Sequence, residues 1–196
     1  MNDAMESDLL RIVEEDTVKQ AMSRILRTDE VTFRSSQQQE ALMSIVNTNG
    51  RTPLVVVLPT GGGKSLLFMV PASLEDAGIT VVVVPFRALL DNLLQKAQAA
   101  GIDSVEWKSG STPRAALVLV SADNVSGTGF VGHVQQWQQN GLLCRVFVDE
   151  AHLTFKDNHW RAKLAGLKSC GRRSARWCCL QRLYRRLSRR SWSSAW

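Results

Sequence analysis

Apolar positions recur at helical spacing along the first part of the chain. Leu9, Leu10, Ile12, Val13, Val18, Ala21, Met22 and Ile25 fall near one face, which predicts a helix over residues 5–27. Thr32–Ser36 interrupts the pattern. Ser36 is a capping residue type, so a second helix is expected from there to about Val46, before the turn signal Asn49-Gly50.

The pattern then changes period. Leu54–Leu58, Thr80–Val84, Ala116–Val120 and Leu143–Val148 are short apolar runs rich in β-branched residues, and Ser104–Trp107 is a weaker one. Helical stretches separate them, from about Lys64, from Ala88 to Ala100 and from Phe130 to Asn140. Runs that do not alternate with polar residues are strands buried on both faces, and helices between them imply parallel connections. The expected fold is therefore α/β, a doubly wound parallel sheet.

After about Lys168 this grammar stops. Residues 169–196 hold eight Arg, three Trp and three Cys, with no Asp, Glu, Ile or Val. No strand run is evident, and a basic, Ser-rich segment of this kind is expected to be disordered. The chain thus divides into an N-terminal helical segment at 1–29, an α/β domain at 30–168 and an Arg/Trp-rich tail at 169–196.

Charge follows the same division. The chain of 196 residues carries 24 Lys+Arg and 18 Asp+Glu, a net charge of +6. All 18 acids lie at or before Asp157, against 13 basic residues there, so that part is acidic at −5. The remaining 11 basic residues follow Asp157, so the high pI belongs to the tail and does not by itself mark the domain as a nucleic-acid binder. No apolar run approaches the roughly 20 residues of a bilayer span. Met1–Leu10 carries Asp3, Glu6 and Asp8 and does not resemble a secretory signal. Cys144, Cys170, Cys178 and Cys179 have no zinc spacing, and an intracellular, reducing compartment is expected.

Two segments carry chemistry. Pro59-Thr60-Gly61-Gly62-Gly63-Lys64-Ser65 joins the first strand run to a helical stretch. Glycines at 61–63 allow the backbone to curl after Thr60 so that N–H groups converge on phosphate oxygens at a helix N-terminus. Lys64 suits the β and γ phosphates, and the Ser65 hydroxyl suits Mg²⁺. The strict phosphate-loop pattern has a further glycine where this chain has Leu58. Downstream, Asp149-Glu150-Ala151-His152 ends another strand run. Asp149 suits Mg²⁺, Glu150 suits the orientation and deprotonation of an attacking water, and His152 suits sensing of the γ-phosphate.

These residues resemble a superfamily 2 helicase. Thr60–Ser65 is similar to motif I of that superfamily, and Asp149–His152 is the DEAH form of motif II. Val82–Pro85 with Arg87-Ala88-Leu89 resembles motif Ia, and Val120-Ser121-Ala122-Asp123 resembles motif Ib with Asp in place of Glu. Phe33-Arg34, then Gln37 or Gln38 and Ala41-Leu42, resembles the RecQ motif 0, in which a Gln reads adenine; spacing favours Gln38. A polar helix start is the plainer reading of Gln37–Gln39. His159-Trp160-Arg161 resembles the aromatic-rich loop of RecQ helicases, set about one residue early.

The resemblance spans residues 30–168 and best fits the RecQ-like helicases of fungal telomere-linked type. It implies the first RecA-like lobe of an ATP-dependent 3′–5′ DNA helicase using ATP and Mg²⁺, bound to single-stranded or forked DNA in the nucleus. Arg34 and Gln38 would join Thr60–Ser65 at the nucleotide, and Arg87, Ser121, Trp160 and Arg161 would touch nucleic acid. The family also needs a second RecA-like lobe carrying an arginine finger, and a Ser/Thr-Ala-Thr motif III after DEAH. Neither is found in residues 169–185 or beyond, and the tail reads like translation in a shifted frame. The isolated lobe is therefore expected to be incomplete and to unwind poorly. The rival readings are a non-catalytic nucleotide- or nucleic-acid-binding remnant and a fragment of a DEAH-type RNA helicase.

Overall fold

A computed structural model describes residues 12–47, 53–111, 114–151 and 175–182. In chain order the elements are α1 (Glu15–Leu26), α2 (Ser36–Asn47), β1 (Leu54–Leu58), α3 (Leu66–Ala72), β2 (Ile79–Val84), α4 (Arg87–Ala99), β3 (Ser104–Glu106), β4 (Leu117–Ser121), α5 (Ala122–Val125), α6 (Thr128–Gln139), β5 (Leu143–Val148) and β6 (Arg176–Arg182). Of the helix expected over 5–27, residues 5–11 lie outside the described residues, 12–14 are not helical, and the helix observed is α1.

The strands form one sheet in the order β1-β6-β5-β2-β4-β3, and every pairing is parallel. Parallel pairing places the C-terminal ends of all six strands at one edge, where ligands of open α/β sheets bind. β2 lies between β4 and β5 and is buried along its whole length, which explains its unbroken Ile-Thr-Val-Val-Val-Val sequence.

Alternation along each strand supplies two cores. Val56, Leu58, Val82, Val84, Leu117, Leu119 and Phe147 face a layer drawn from α1 to α4. Val81, Val83, Val118, Val120, Val146 and Val148 face α5 and α6, with Trp107 and Trp137 in the same layer. Both tryptophans are packing residues, and Trp107 meets Phe130 edge-on with ring centroids 5.1 Å apart. On β1 the second face lacks a helix among the described residues, so Val55 and Val57 are 36% and 39% exposed.

α1 belongs to the first of these cores, through Val18, Ala21 and Met22. Its N-terminal side is tied to α2 by the Asn47 side chain, which accepts from the Val13 amide at 2.6 Å and donates to the Val13 carbonyl at 2.9 Å. At the other end Arg27 adopts a left-handed cap (φ 55°), and its guanidinium donates to the Ala99 carbonyl at the end of α4. The segment set apart by sequence at 1–29 is thus packed into the same domain over its described part.

The tail requires a correction. Residues 176–182, expected to be disordered, form β6, inserted between β1 and β5. The cause is the local run Trp177-Cys178-Cys179-Leu180, which is buried and splits between the two cores: Cys178 and Leu180 on one face, Trp177 and Cys179 on the other. Arginine-rich composition masked four consecutive apolar side chains. Burial pushes the Cys179 thiol up to about 12, with Cys178 as a lesser cause. The adjacent cysteines are packing residues on opposite faces.

Candidate nucleotide site

β1 ends at Leu58 and delivers the chain into the Thr60–Ser65 loop at the C-terminal edge of the sheet. The Gly62 amide donates to the Pro59 carbonyl at 3.0 Å and closes the first turn. Gly61 and Gly63 have φ of 76° and 75°, a region in which a side chain is strained. Gly62 is fixed for a different reason: a Cβ there would lie 2.9 Å from the Pro59 carbonyl oxygen. The loop passes directly into α3, where the Gly63 and Lys64 carbonyls accept from Leu66 and Leu67 at 3.0 and 3.1 Å. Lys64 and Ser65 are half-buried at this junction, with Ser65 in the N-cap position of α3.

The residues before α2 reach this loop. Arg34 donates from its guanidinium to the Gly61 carbonyl. Gln38 is fully buried; its Oε1 accepts from the Arg34 amide at 2.8 Å and its Nε2 donates to the Gly63 carbonyl at 3.4 Å. Gln37 is exposed, so Gln38 is the one of the pair that faces the loop. Both ends of the Gln38 amide are engaged within the protein. A Cβ on Gly63 would come 2.1 Å from Gln38 Nε2, so the third glycine also makes room for this side chain.

The acidic pair follows β5, two strands away across β6. Asp149 continues the ladder, its amide donating to the Val83 carbonyl at 3.0 Å. Its carboxylate Oδ1 accepts from the Glu150 amide at 2.9 Å. Glu150 has φ 50°, a left-handed conformation for a non-glycine residue at the end of a strand. The Ala151 amide then donates to the Leu180 carbonyl of β6 at 2.9 Å. Asp149 and Glu150 are 8% and 7% exposed, which is unusual for carboxylates and unlike a solvated strand end. Sequence reasoning did not find Leu180 as a support of this turn, because its flanking arginines concealed the strand.

Of the nucleic-acid candidates, Arg87 opens α4 and forks onto Glu106, its Nη2 lying 2.9 Å from Oε2. Ser121 ends β4 beside Val84 and is 7% exposed, at the N-cap position of α5. Asp123 stands inside the first turn of α5. His152, Trp160 and Arg161 lie outside the described residues. A broad groove lined by α1, Ser73–Ala77 and Arg145 lies at the opposite, N-terminal edge of the sheet, away from these residues.

The model for the DEAD/DEAH box helicase family matches residues 35–180. The chain belongs to the DEAD/DEAH box helicase family. The match runs into β6 and so extends past residue 168. Among its relatives, "ATP-dependent DNA helicase Q5" of Rattus norvegicus is 29% identical over 160 residues, covering 74% of this chain and 16% of that protein. "ATP-dependent DNA helicase Q-like 4B" of Arabidopsis thaliana is 32% identical over 144 residues, covering 65% and 12%. "ATP-dependent DNA helicase RecQ" of Haemophilus influenzae is 28% identical over 185 residues, covering 84% and 28%. The chain therefore spans less than a third of the length of these DNA helicases.

The helicase fold is shared with solved structures at lower identity. One is "DUF1998 helicase MrfA bound to DNA and AMPPNP", with TM-score 0.63 and 18% identity over 88% of this chain and 27% of that one. Another is a "hypothetical ATP-dependent RNA helicase from Sulfolobus tokodaii", with TM-score 0.52 and 19% identity over 86% and 50%. No helix among the described residues is long and apolar enough to cross a membrane.

Proposed function

We propose that this helicase domain is the nucleotide-binding first lobe of an ATP-dependent 3′–5′ DNA helicase. The observation that carries the reading is the placement of a left-handed glycine loop and a buried carboxylate pair at the same edge of one parallel sheet, bracketing a single strand. A relative named as a DNA helicase in each of three organisms supports DNA as the substrate. The solved MrfA complex with DNA and AMPPNP supports the two ligand classes.

The residues fit ATP and Mg²⁺. Two left-handed glycines curve the loop amides, and hard oxygen donors, the Ser65 hydroxyl and the Asp149 carboxylate, suit Mg²⁺. Mg²⁺, when bound, neutralises charge on the β and γ phosphate oxygens. Lys64 would hold the same phosphates as a point charge. Glu150, held at the turn by the Asp149 carboxylate and the strand end, would orient the attacking water and take its proton. Arg34 and Gln38 would brace the loop from behind, through their bonds to the Gly61 and Gly63 carbonyls.

Nucleotide binding by the chain and catalysis by a complete helicase are separable. Thermal shift with ATP-Mg²⁺ is expected to stabilise the wild-type chain and not Lys64→Ala. Hydrolysis by the chain alone is expected to be slow, because an arginine finger from a second lobe contributes ~10³–10⁵ in rate in related nucleotide hydrolases. Fusion to the second lobe of a RecQ relative should restore turnover stimulated by single-stranded DNA more than by RNA. A chain whose melting ignores ATP-Mg²⁺ would instead be a remnant without nucleotide function.

A further inference from the structure

Phe86 sits at the corner between β2 and α4, at the C-terminal edge of the sheet. Its backbone is fixed: the carbonyl accepts from Leu89 and Leu90, each at 3.1 Å, and starts α4. Its ring is 63% exposed. Every other Phe and Trp of the described residues is buried or half-buried. A lone apolar side chain on a surface is ordinary. What distinguishes Phe86 is its surroundings.

Beside it, one buried carboxylate holds two cations outward. Glu106, at the end of β3, has a side chain 7% exposed. Arg87 forks onto both of its oxygens, and the Lys108 ammonium lies 3.6 Å from Oε2. The two basic side chains are 56% and 66% exposed. The fork occupies one N–H on each terminal guanidinium nitrogen and leaves the outer ones available. Asp91, 3.6 Å from Arg87 Nε, fixes the guanidinium from the helix side. The cluster is close to electrically neutral, so it would add little long-range attraction. Its value lies in a pre-set direction for its donors beside a flat ring.

We propose that Phe86 is a stacking platform for one unpaired base of single-stranded DNA, with Arg87 and Lys108 gripping the adjoining phosphates from their common anchor on Glu106. Aromatic faces accept any base, and fixed cations at backbone spacing complete such sites. The strand-to-helix corner fixes the backbone that carries the ring, and the buried carboxylate anchors the Arg87 guanidinium and attracts the Lys108 ammonium. This inference rests on the DNA half of the function proposed above.

The test is fluorescence anisotropy of the full chain with labelled single-stranded oligodeoxynucleotides, in intact and fully abasic versions. Phe86→Ala should weaken binding to the intact oligonucleotide roughly tenfold, and Phe86→Trp should preserve it. Phe86→Leu, equally apolar but not aromatic, should behave like Phe86→Ala. On the abasic strand the wild type and Phe86→Ala should bind alike, since the ring has nothing to stack on. Equal affinity of wild type and Phe86→Ala for the intact strand overturns the platform while leaving DNA binding in place. A wild-type chain that binds ATP-Mg²⁺ but no DNA overturns the DNA reading and the platform with it.

A separate observation concerns β6. Its central position demands a buried, apolar strand, yet it is written Arg-Trp-Cys-Cys-Leu-Gln-Arg. We infer that the codons of β6 encode, in an alternative reading frame, the strand for which this place in the sheet was built. Beginning each triplet at the third nucleotide of the present codons, the Arg176–Trp177 junction must encode Met, Val or Leu. The Trp177–Cys178 junction must then encode Val and the Cys178–Cys179 junction Leu, whatever the codon choice. Val and Leu are residue types of β2 and β4. The present strand still pairs because a shifted G-rich frame yields Trp and Cys, which are apolar enough to be buried. The gene sequence tests this: the alternative frame is expected to remain open through the codons of 169–196, and a stop codon within that span overturns the inference.

Discussion

The Ala151 amide donates to the Leu180 carbonyl at 2.9 Å, so β6 holds the residue that follows the acidic pair. The same strand pairs with β1 from Leu54 to Leu58, directly beneath the phosphate loop. One short strand therefore supports both halves of the candidate nucleotide site. Leu180→Ala should cost about 3 kcal/mol of stability, as for other fully buried leucines. Denaturant titration measures that loss, and ATP-Mg²⁺ affinity should fall in the same variant.

Gly63 is required by φ and by Gln38. Gly63→Ala should strain the loop by about 1 kcal/mol and displace the Gln38 amide. Adding Gln38→Ala would relieve the contact but not the backbone strain. Both variants should therefore lose the ATP-Mg²⁺ thermal shift, and the double variant should not recover it.

Glu150 occupies a left-handed conformation that glycine adopts freely. Glu150→Gly should raise stability by about 1 kcal/mol while removing the proposed base. Glu150→Gln should keep nucleotide affinity and lower hydrolysis, in a two-lobe fusion, roughly a hundredfold. Isothermal titration and phosphate release distinguish the two effects.

The Cys179 thiol is held neutral by burial, with its pKa pushed up to about 12. A raised value in the fold means that its contribution to stability is fully present below the unfolded thiol range. It is lost progressively as pH rises from the ordinary thiol value of 9.0 toward about 12. Cys179→Ala should flatten the stability profile over that window, as read from denaturation midpoints at successive pH values.

Most of the sheet was legible because β2, β4 and most of β5 are buried on both faces, and β1, though open on one face, is likewise written as an apolar run. The predicted bounds of these strands fall within two residues of those observed. The positions of the loop and the acidic pair were legible for a related reason: the chemistry proposed for them needs particular residue types immediately after a strand. β6 was not legible. Its side chains Trp177 to Leu180 satisfy burial, but the surrounding arginines and the absence of Ile and Val remove the usual signal. The bonds from Arg34 and Gln38 to the loop were also hidden, since contacts across 25 to 27 residues leave no local periodicity.

Among the described residues β1 is fastened along one flank alone, and the glycine loop hangs from its tip. Such a strand behaves as a bracket fixed to a single wall. The firmness with which the loop is held is borrowed from the seven residues of β6, the part of the sheet whose wording is least suited to the task.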